Sequence, residues 1–299
     1  MKEFHGIIPP AVTPLNAKRE LDIPGLERLL EHMLSGGVHG IFVLGTTGEG
    51  PALGEDQQKL LIRETLRIVS KRVPVLAGIS SAAFTQAVSL ARFAREAGAD
   101  AAVAAPPCYF LPGEPELLDF YSALAAEIKM PLFAYNMPGM TKVYMKPTFV
   151  AKLASIPGIK GYKDSSGNMP DFHELLIALD GREDFSIFVG PEELLGESVL
   201  FGADGGVCGG ANIAPRIYVE MYNAALQRDI PRMRECQKKI YMQRRIYSLG
   251  RFQSSMIKGV KSALKQMGIC EDHMVHPFNH FEPQDAEHVC KLLKELNYL

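Results

Sequence analysis

The 299-residue sequence contains no tryptophan. Its 5 cysteines (Cys108, Cys208, Cys236, Cys270, Cys290) are odd in number and scattered. No C-x-x-C pair occurs among them, which favours free thiols in a reducing compartment over a disulfide frame or a zinc site. No apolar run reaches the ~18 residues that a membrane span needs. The opening residues, Met1-Lys2-Glu3-Phe4-His5-Gly6, lack the apolar stretch of a secretory signal. A basic run is absent too: 32 Lys+Arg stand against 34 Asp+Glu, for a formal net charge of −2. The chain therefore offers no electrostatic footprint for nucleic acid. These absences leave a soluble cytoplasmic globular protein as the expectation, with small molecules rather than membranes or nucleic acids as partners. What the chain has is apolar material, 47% of its residues, enough for a large core.

Short β-rich runs recur at Gly6–Pro10, Gly40–Leu44, Val73–Gly78, Asp100–Ala105, Pro131–Tyr135, Ile159–Lys163, Phe185–Gly190 and Gly205–Cys208. They start about every 20 to 35 residues, the size of a βα repeat. Runs such as Ile41-Phe42-Val43-Leu44 are apolar at every position, as in parallel strands covered by helices. Helical patterns lie between them. Asp22-Ile23-Pro24 opens one, whose stripe of Leu26, Leu29, Leu30, Met33 and Leu34 closes at Gly36-Gly37. Thr85 is placed to cap another that ends at Gly98, Glu114–Ile128 carries a third, and Lys146-Pro147 opens a fourth. Eight alternating strands and helices predict an α/β fold, a closed (β/α)8 TIM barrel, with a doubly wound open sheet as runner-up. After about residue 228 the strand signal stops. Arg232–Ser248, Gln253–Met267 and Pro283–Leu296 read as helices, so the expected organisation is a catalytic barrel over 1–228 and a C-terminal three-helix extension over 229–299.

Barrel enzymes place their sites at the C-terminal ends of the strands. Those ends carry Gly45-Thr46-Thr47-Gly48-Glu49, Pro106-Pro107-Cys108-Tyr109, Tyr135-Asn136, Lys163-Asp164-Ser165-Ser166, Gly190-Pro191-Glu192-Glu193 and Gly205-Gly206-Val207-Cys208-Gly209-Gly210. Tyr135 and Lys163 end neighbouring strands, ~4.8 Å apart; Thr46 and Thr47 face them from across the barrel. Lys160 and Lys163, three residues apart, point to opposite faces, so one of them is inward. A lysine in an apolar setting loses its proton more readily and attacks ketones to form an imine. A neighbouring phenol moves protons, and hydroxyls with backbone amides hold a carboxylate. The set suits an imine-forming enzyme acting on a 2-oxo acid. Taken singly, each residue has a plainer reading: a strand-end lysine is usually a solvated rim residue, a tyrosine usually packing, and Gly-Thr-Thr-Gly-Glu a βα turn. The joint placement favours chemistry. Glu192 and Glu193 either start a helix or bind substrate hydroxyls. His273, His276 and His280 resemble metal-ligand spacing, but Pro277 interrupts them and a surface loop is the better reading; no metal is expected. The glycines after the eighth strand read as a close-packed turn rather than a phosphate nest.

Gly45-Thr46-Thr47-Gly48-Glu49, Tyr135-Asn136-Met137-Pro138-Gly139 and Gly161-Tyr162-Lys163-Asp164 resemble the signature segments of the dihydrodipicolinate synthase / N-acetylneuraminate lyase family, in its order and spacing, over about residues 4–299. The resemblance implies a class I aldolase with no metal and no pyridoxal phosphate. By position, Lys163 would form the Schiff base with pyruvate, Tyr135 would relay protons, and Thr46 and Thr47 would hold the carboxylate. Tyr109 would enter the relay of a neighbouring subunit, in a homotetramer built as a dimer of dimers. Gly190, Glu192, Glu193, Met140 and Cys208 would line the substrate side.

One position departs from the synthase pattern. Met140 stands where the similar synthases carry an arginine that binds the aldehyde's carboxylate, and a thioether cannot replace that contact. Gly209-Gly210 likewise stands where the sialic acid lyases have hydroxyl residues. The expected reaction is lysis or formation of a carbon–carbon bond with pyruvate as one partner and a 2-keto-3-deoxy sugar acid or 4-hydroxy-2-oxo acid as the longer one. The alternatives are a 4-hydroxy-tetrahydrodipicolinate synthase acting on aspartate-semialdehyde, and a barrel that binds a 2-oxo acid without turnover.

Overall fold

The structure, a computed structural model, describes residues 2–299. Its strands are β1 (Gly6–Ile7), β2 (Ile41–Val43), β3 (Val75–Gly78), β4 (Ala101–Ala104), β5 (Leu132–Asn136), β6 (Ile159–Asp164), β7 (Ser186–Val189) and β8 (Gly205–Gly206). All pair in parallel, in the order β1-β8-β7-β6-β5-β4-β3-β2. A parallel bridge between Pro10 and Phe42 joins the two ends of this sheet. Ala11 N–H donates to Phe42 O at 2.8 Å and Phe42 N–H to Pro9 O at 3.0 Å. The expected barrel is thus present, with its last seam made by the short segment just after β1.

The all-apolar strands are explained by their two buried faces. Ile8, Phe42, Leu76, Val103, Phe133, Tyr135, Phe188 and Val207 point inward and pack together as the barrel interior. Ile41, Val43, Val75, Ala77, Leu132, Ile187 and Val189 alternate with them and face the helices. Fully burying each of the three inner phenylalanines contributes roughly 2–3 kcal/mol. The helical layer consists of α1 (Ile23–Ser35), α2 (Glu55–Val69), α3 (Phe84–Ala97), α4 (Glu114–Ile128), the single turn α5 (Pro138–Thr141), α6 (Pro147–Leu153), α7 (Met169–Ala178), α8 (Leu195–Leu200) and α9 (Pro215–Leu226). The remaining helices are α10 (Ile230–Arg244), α11 (Ser255–Gln266) and α12 (Pro283–Glu295). No helix among the described residues is long and apolar enough to cross a membrane.

Helix ends follow local chemistry with one correction. α3 closes at Gly98, whose φ of +98° suits a residue without a Cβ. Its start is not capped by Thr85: the helix begins at Phe84 with Ala83 in the cap position, so Thr85 lies inside the first turn. Ser81 instead orders this entry, accepting from Ala83 N–H at 3.1 Å and donating to Gln86 Oε1 at 2.9 Å.

Candidate active site at the C-terminal end of the barrel

Tyr135 and Lys163 are direct register partners on β5 and β6. The register slips once between these strands, beside Lys160. That bulge leaves Lys160 exposed, 3.9 Å from Asp184. Above it the pleat resumes with Gly161 and Lys163 inward and Tyr162 toward the helices. Gly161 is required there: a Cβ would lie 2.1 Å from the Phe133 ring, so only glycine lets that ring fill the barrel beneath Lys163. The Lys163 ammonium nitrogen ends 3.9 Å from the Tyr135 ring centroid and 5.3 Å from that of Phe42. The lysine is only 6% exposed.

Thr46 reaches across from the loop after β2, its hydroxyl 3.4 Å from the Tyr135 hydroxyl. Burial alone would raise the Tyr135 pKa. The Lys163 charge and hydrogen bonding with Thr46, Ser165 and Lys163 outweigh it, so the phenol titrates below the ordinary tyrosine value. Thr47 is buried beside Thr46. These four residues line one cavity of ≈ 470 Å³, together with Ser165, Gly190, Glu192 and Glu193. It shares a wall that includes Thr46, Tyr135, Met137 and Met140 with a second cavity of ≈ 750 Å³. Met140, on α5, is 41% exposed and belongs to both.

Not every residue singled out from sequence converges here. Cys208 is fully buried but lies on the helix side of β8, away from the cavity lining, and burial pushes its thiol well up. Tyr109 is 87% exposed, with φ +91°, and its ring meets that of Phe110 edge-on at 5.1 Å. Glu192 borders the cavity, yet its carboxylate is turned into the protein. It accepts from Gly210 N–H at 2.7 Å and Tyr218 hydroxyl at 2.9 Å. Burial raises its pKa, partly offset by those donors. Glu193 is the more available of the two, paired with Arg244 at 3.1 Å. Gly190 lets β7 approach β6, donating to Asp164 O at 2.6 Å where a Cβ would strike Ser165 Oγ.

Two features escape sequence reasoning. Asp164, next to the lysine, is a buried acceptor hub: Asn136 Nδ2 (2.9 Å) and Tyr162 hydroxyl (2.7 Å) donate to one oxygen, Ser166 N–H (2.8 Å) and hydroxyl (2.6 Å) to the other. It fastens the end of β6 to the end of β5. Its only sequence signal is its place after Lys163. The second is the tail: Arg244, Tyr247, Ser248, Gln253, Met256 and Ile257 form one wall of the lysine cavity. Their distance along the chain from β6 hides this role.

The arrangement brings together an inward lysine, a phenol with a lowered pKa, two threonines and a roomy cavity, the parts needed for imine chemistry on a 2-oxo acid. A family model described as the dihydrodipicolinate synthetase family matches residues 3–296. The chain is similar to the 4-hydroxy-tetrahydrodipicolinate synthase of Polynucleobacter asymbioticus, 32% identical over 300 residues, 100% of this chain and 96% of the relative. It is 34% identical over 273 residues to an Escherichia coli K12 relative named "Probable 2-dehydro-3-deoxy-D-pentonate aldolase", 90% of this chain and 89% of that one. The solved dihydrodipicolinate synthase of Bacteroides thetaiotaomicron superposes with a TM-score of 0.94 at 46% identity, covering 99% of both chains.

Proposed function

Since the chain belongs to the dihydrodipicolinate synthetase family and is a carbon–carbon lyase of the aldolase type, we propose that Lys163 forms an imine with pyruvate or a pyruvoyl group, and that the enzyme cleaves or makes a 2-keto-3-deoxy sugar acid or 4-hydroxy-2-oxo acid. The observation that carries this reading is the Lys163 nitrogen seated 3.9 Å from the Tyr135 ring inside the barrel mouth. In cleavage, the Lys163 amine adds to the C2 ketone and water leaves, giving a protonated imine. Loss of the C4 hydroxyl proton drives scission of C3–C4, whose electron pair passes into the imine as an enamine while the aldehyde departs. Protonation at C3 and hydrolysis then release pyruvate and the free amine. Tyr135 would carry the protons, a role supported by the Thr46 hydroxyl 3.4 Å from its own; Thr46 and Thr47 would hold the substrate's carboxylate. The reaction so written uses only the chain's own side chains.

Met140 supports an acceptor without a carboxylate at that point. Apart from Lys163, the one cation on the cavity wall among the described residues is Arg244, already paired with Glu193. A carboxylate–guanidinium pair offers both acceptors and donors, which suits hydroxyl groups. The likeness to a pentonate aldolase points the same way. A second reading, condensation of pyruvate with aspartate-semialdehyde, is favoured by the 46% identity to a dihydrodipicolinate synthase. Tyr109, Phe110 and Leu111 are exposed on the segment that follows Cys108, a lining residue of the second cavity, and this apolar stretch supports pairing of two copies there, as expected of a homotetramer. The deciding experiment is a screen of 2-oxo-3-deoxy acids for pyruvate release, with borohydride trapping in pyruvate. A pyruvyl adduct on Lys163 is the expected result. An adduct elsewhere, or none, overturns the mechanism.

A further inference from the structure

The most completely buried ion pair among the described residues lies outside the reacting groups. Lys261 of α11 and Glu49, at the end of the Gly45–Glu49 loop, are in contact at 2.5 Å, and both side chains are 0% exposed. Two ionised groups removed from water are costly unless further polar contacts compensate. Here they do so in part: Glu49 Oε2 accepts from Val275 N–H at 2.9 Å and Lys261 Nζ donates to His273 O at 2.6 Å, while buried Glu49 Oε1 has the Lys261 ion-pair contact and no hydrogen bond. Burial lowers the Lys261 pKa, and the Glu49 carboxylate works against that shift.

The loop that Glu49 ends needs holding. Glu49 has φ +57°, in the left-handed region where a side chain is disfavoured. Its N–H bonds to Thr46 O at 3.1 Å, closing a tight turn that starts at Thr46 and has Thr47 and Gly48 at its centre. Any displacement of Glu49 is therefore passed to Thr46 through that turn, and Thr46 is the residue on the Tyr135 hydroxyl. One helical turn before Lys261, Ile257 lies on the same face of α11 and lines both cavities. A buried pair also need not be retained for stability alone, since apolar replacement is often neutral or stabilising.

We propose that Lys261 and Glu49 are positioning residues for the carbonyl chemistry. The C-terminal extension, through this pair, sets the Thr46–Thr47 loop so that Thr46 meets Tyr135 and the 2-oxo acid's carboxylate. The tail is then part of the catalytic apparatus for the pyruvate half of the reaction, whatever the aldehyde. This inference rests on the imine reading of Lys163.

The test is the rate of pyruvate adduct formation on Lys163, trapped with borohydride at saturating pyruvate, which needs no knowledge of the aldehyde. Lys261→Met, Thr46→Val and the combination are compared with the unaltered protein, well below their melting temperatures. Lys261→Met is expected to slow adduct formation about tenfold or more. In the Thr46→Val background the same change is expected to cost less than about twofold, because residues acting through one contact are not additive. Equal losses in both backgrounds, or no loss in folded Lys261→Met, overturn the proposal. Should Lys261→Met fail to fold, Glu49→Gln, which keeps an acceptor for Val275 N–H, enters the same cycle with the same criteria. Absence of any adduct in the unaltered protein removes the imine reading and this inference with it; an adduct that forms normally but with additive losses removes this inference alone.

Discussion

Lys163 and Tyr135 sit opposite each other in register on β6 and β5, and the amine nitrogen lies over the phenol ring, 3.9 Å from its centroid. The ring therefore does two things. Its face stabilises a positive nitrogen, an attraction of about 0.5–2 kcal/mol, while its hydroxyl extends toward Thr46 and the cavity. Tyr135→Phe separates these roles, because it keeps the ring and deletes the proton carrier. Turnover should fall by roughly 10²–10⁴-fold, the range for loss of a proton-transfer group, with the fold intact by circular dichroism. Near-normal turnover would take Tyr135 out of the proton relay.

The lowered Tyr135 pKa has a pH consequence whose sign is fixed by its cause. The phenol carries its proton at low pH and loses it as pH rises, so a depressed pKa brings that loss to lower pH than for an ordinary tyrosine. The alkaline limb of kcat/KM, which reports the free enzyme, should accordingly fall below the ordinary tyrosine range. Thr46→Val deletes one of the hydrogen bonds responsible. Its alkaline limb should move to higher pH as its maximum rate drops. A limb that stays in place, or moves down, would show that Thr46 does not tune this phenol.

The parts of this site that could be read from the sequence are those fixed by strand periodicity. Lys163, Tyr135 and Thr46 stand at the ends of runs with two apolar faces, and the barrel order alone places them around one mouth. That Lys160 and Lys163 face oppositely followed from the pleat, although the bulge beside Lys160 did not show in the residues. Glu192 illustrates what periodicity misses. Its position after β7 left a helix start and a substrate contact equally open; its direction is set by Gly210 N–H and Tyr218, which are distant in sequence. The tail's wall of Arg244, Tyr247 and Gln253 is likewise a product of chain return. Lys261 did leave a trace: it interrupts the apolar face of α11 formed by Ile257, Val260 and Leu264, and a lone charge on such a stripe needs a buried partner.

Asp164 offers a stability prediction. Truncation in Asp164→Ala strands the Asn136 amide, the Tyr162 hydroxyl and two Ser166 donors, of which the first two are deeply buried. Each unsatisfied buried group costs about 1–3 kcal/mol, so a loss on the order of 3–5 kcal/mol is expected. For a chain of this size that corresponds to a fall in Tm of about 5–8 °C. Differential scanning calorimetry reads it directly. A Tm within a degree or two of the unaltered protein would mean that water replaces the carboxylate and that the hub is dispensable.

Met140 decides between the two acceptor classes. Its side chain borders both cavities and is 41% exposed, so a longer, charged side chain fits without disturbing the core. Met140→Arg would place a guanidinium where an incoming carboxylate could pair with it, a charge-assisted contact worth about 1.5–3 kcal/mol, or roughly ten- to a hundredfold in affinity. On the sugar-acid reading, the unaltered enzyme releases pyruvate from neutral-tailed 2-oxo-3-deoxy acids and condenses aspartate-semialdehyde poorly. The variant should gain on aspartate-semialdehyde and lose on the neutral substrates, measured as kcat/KM for each in parallel. If the unaltered enzyme already condenses aspartate-semialdehyde efficiently, and Met140→Arg leaves that rate unchanged, the second carboxylate is bound elsewhere on the wall. The synthase reading would then replace the sugar-acid one. Arg244 would be the residue to substitute next, since among the described residues it is the remaining cation on that surface.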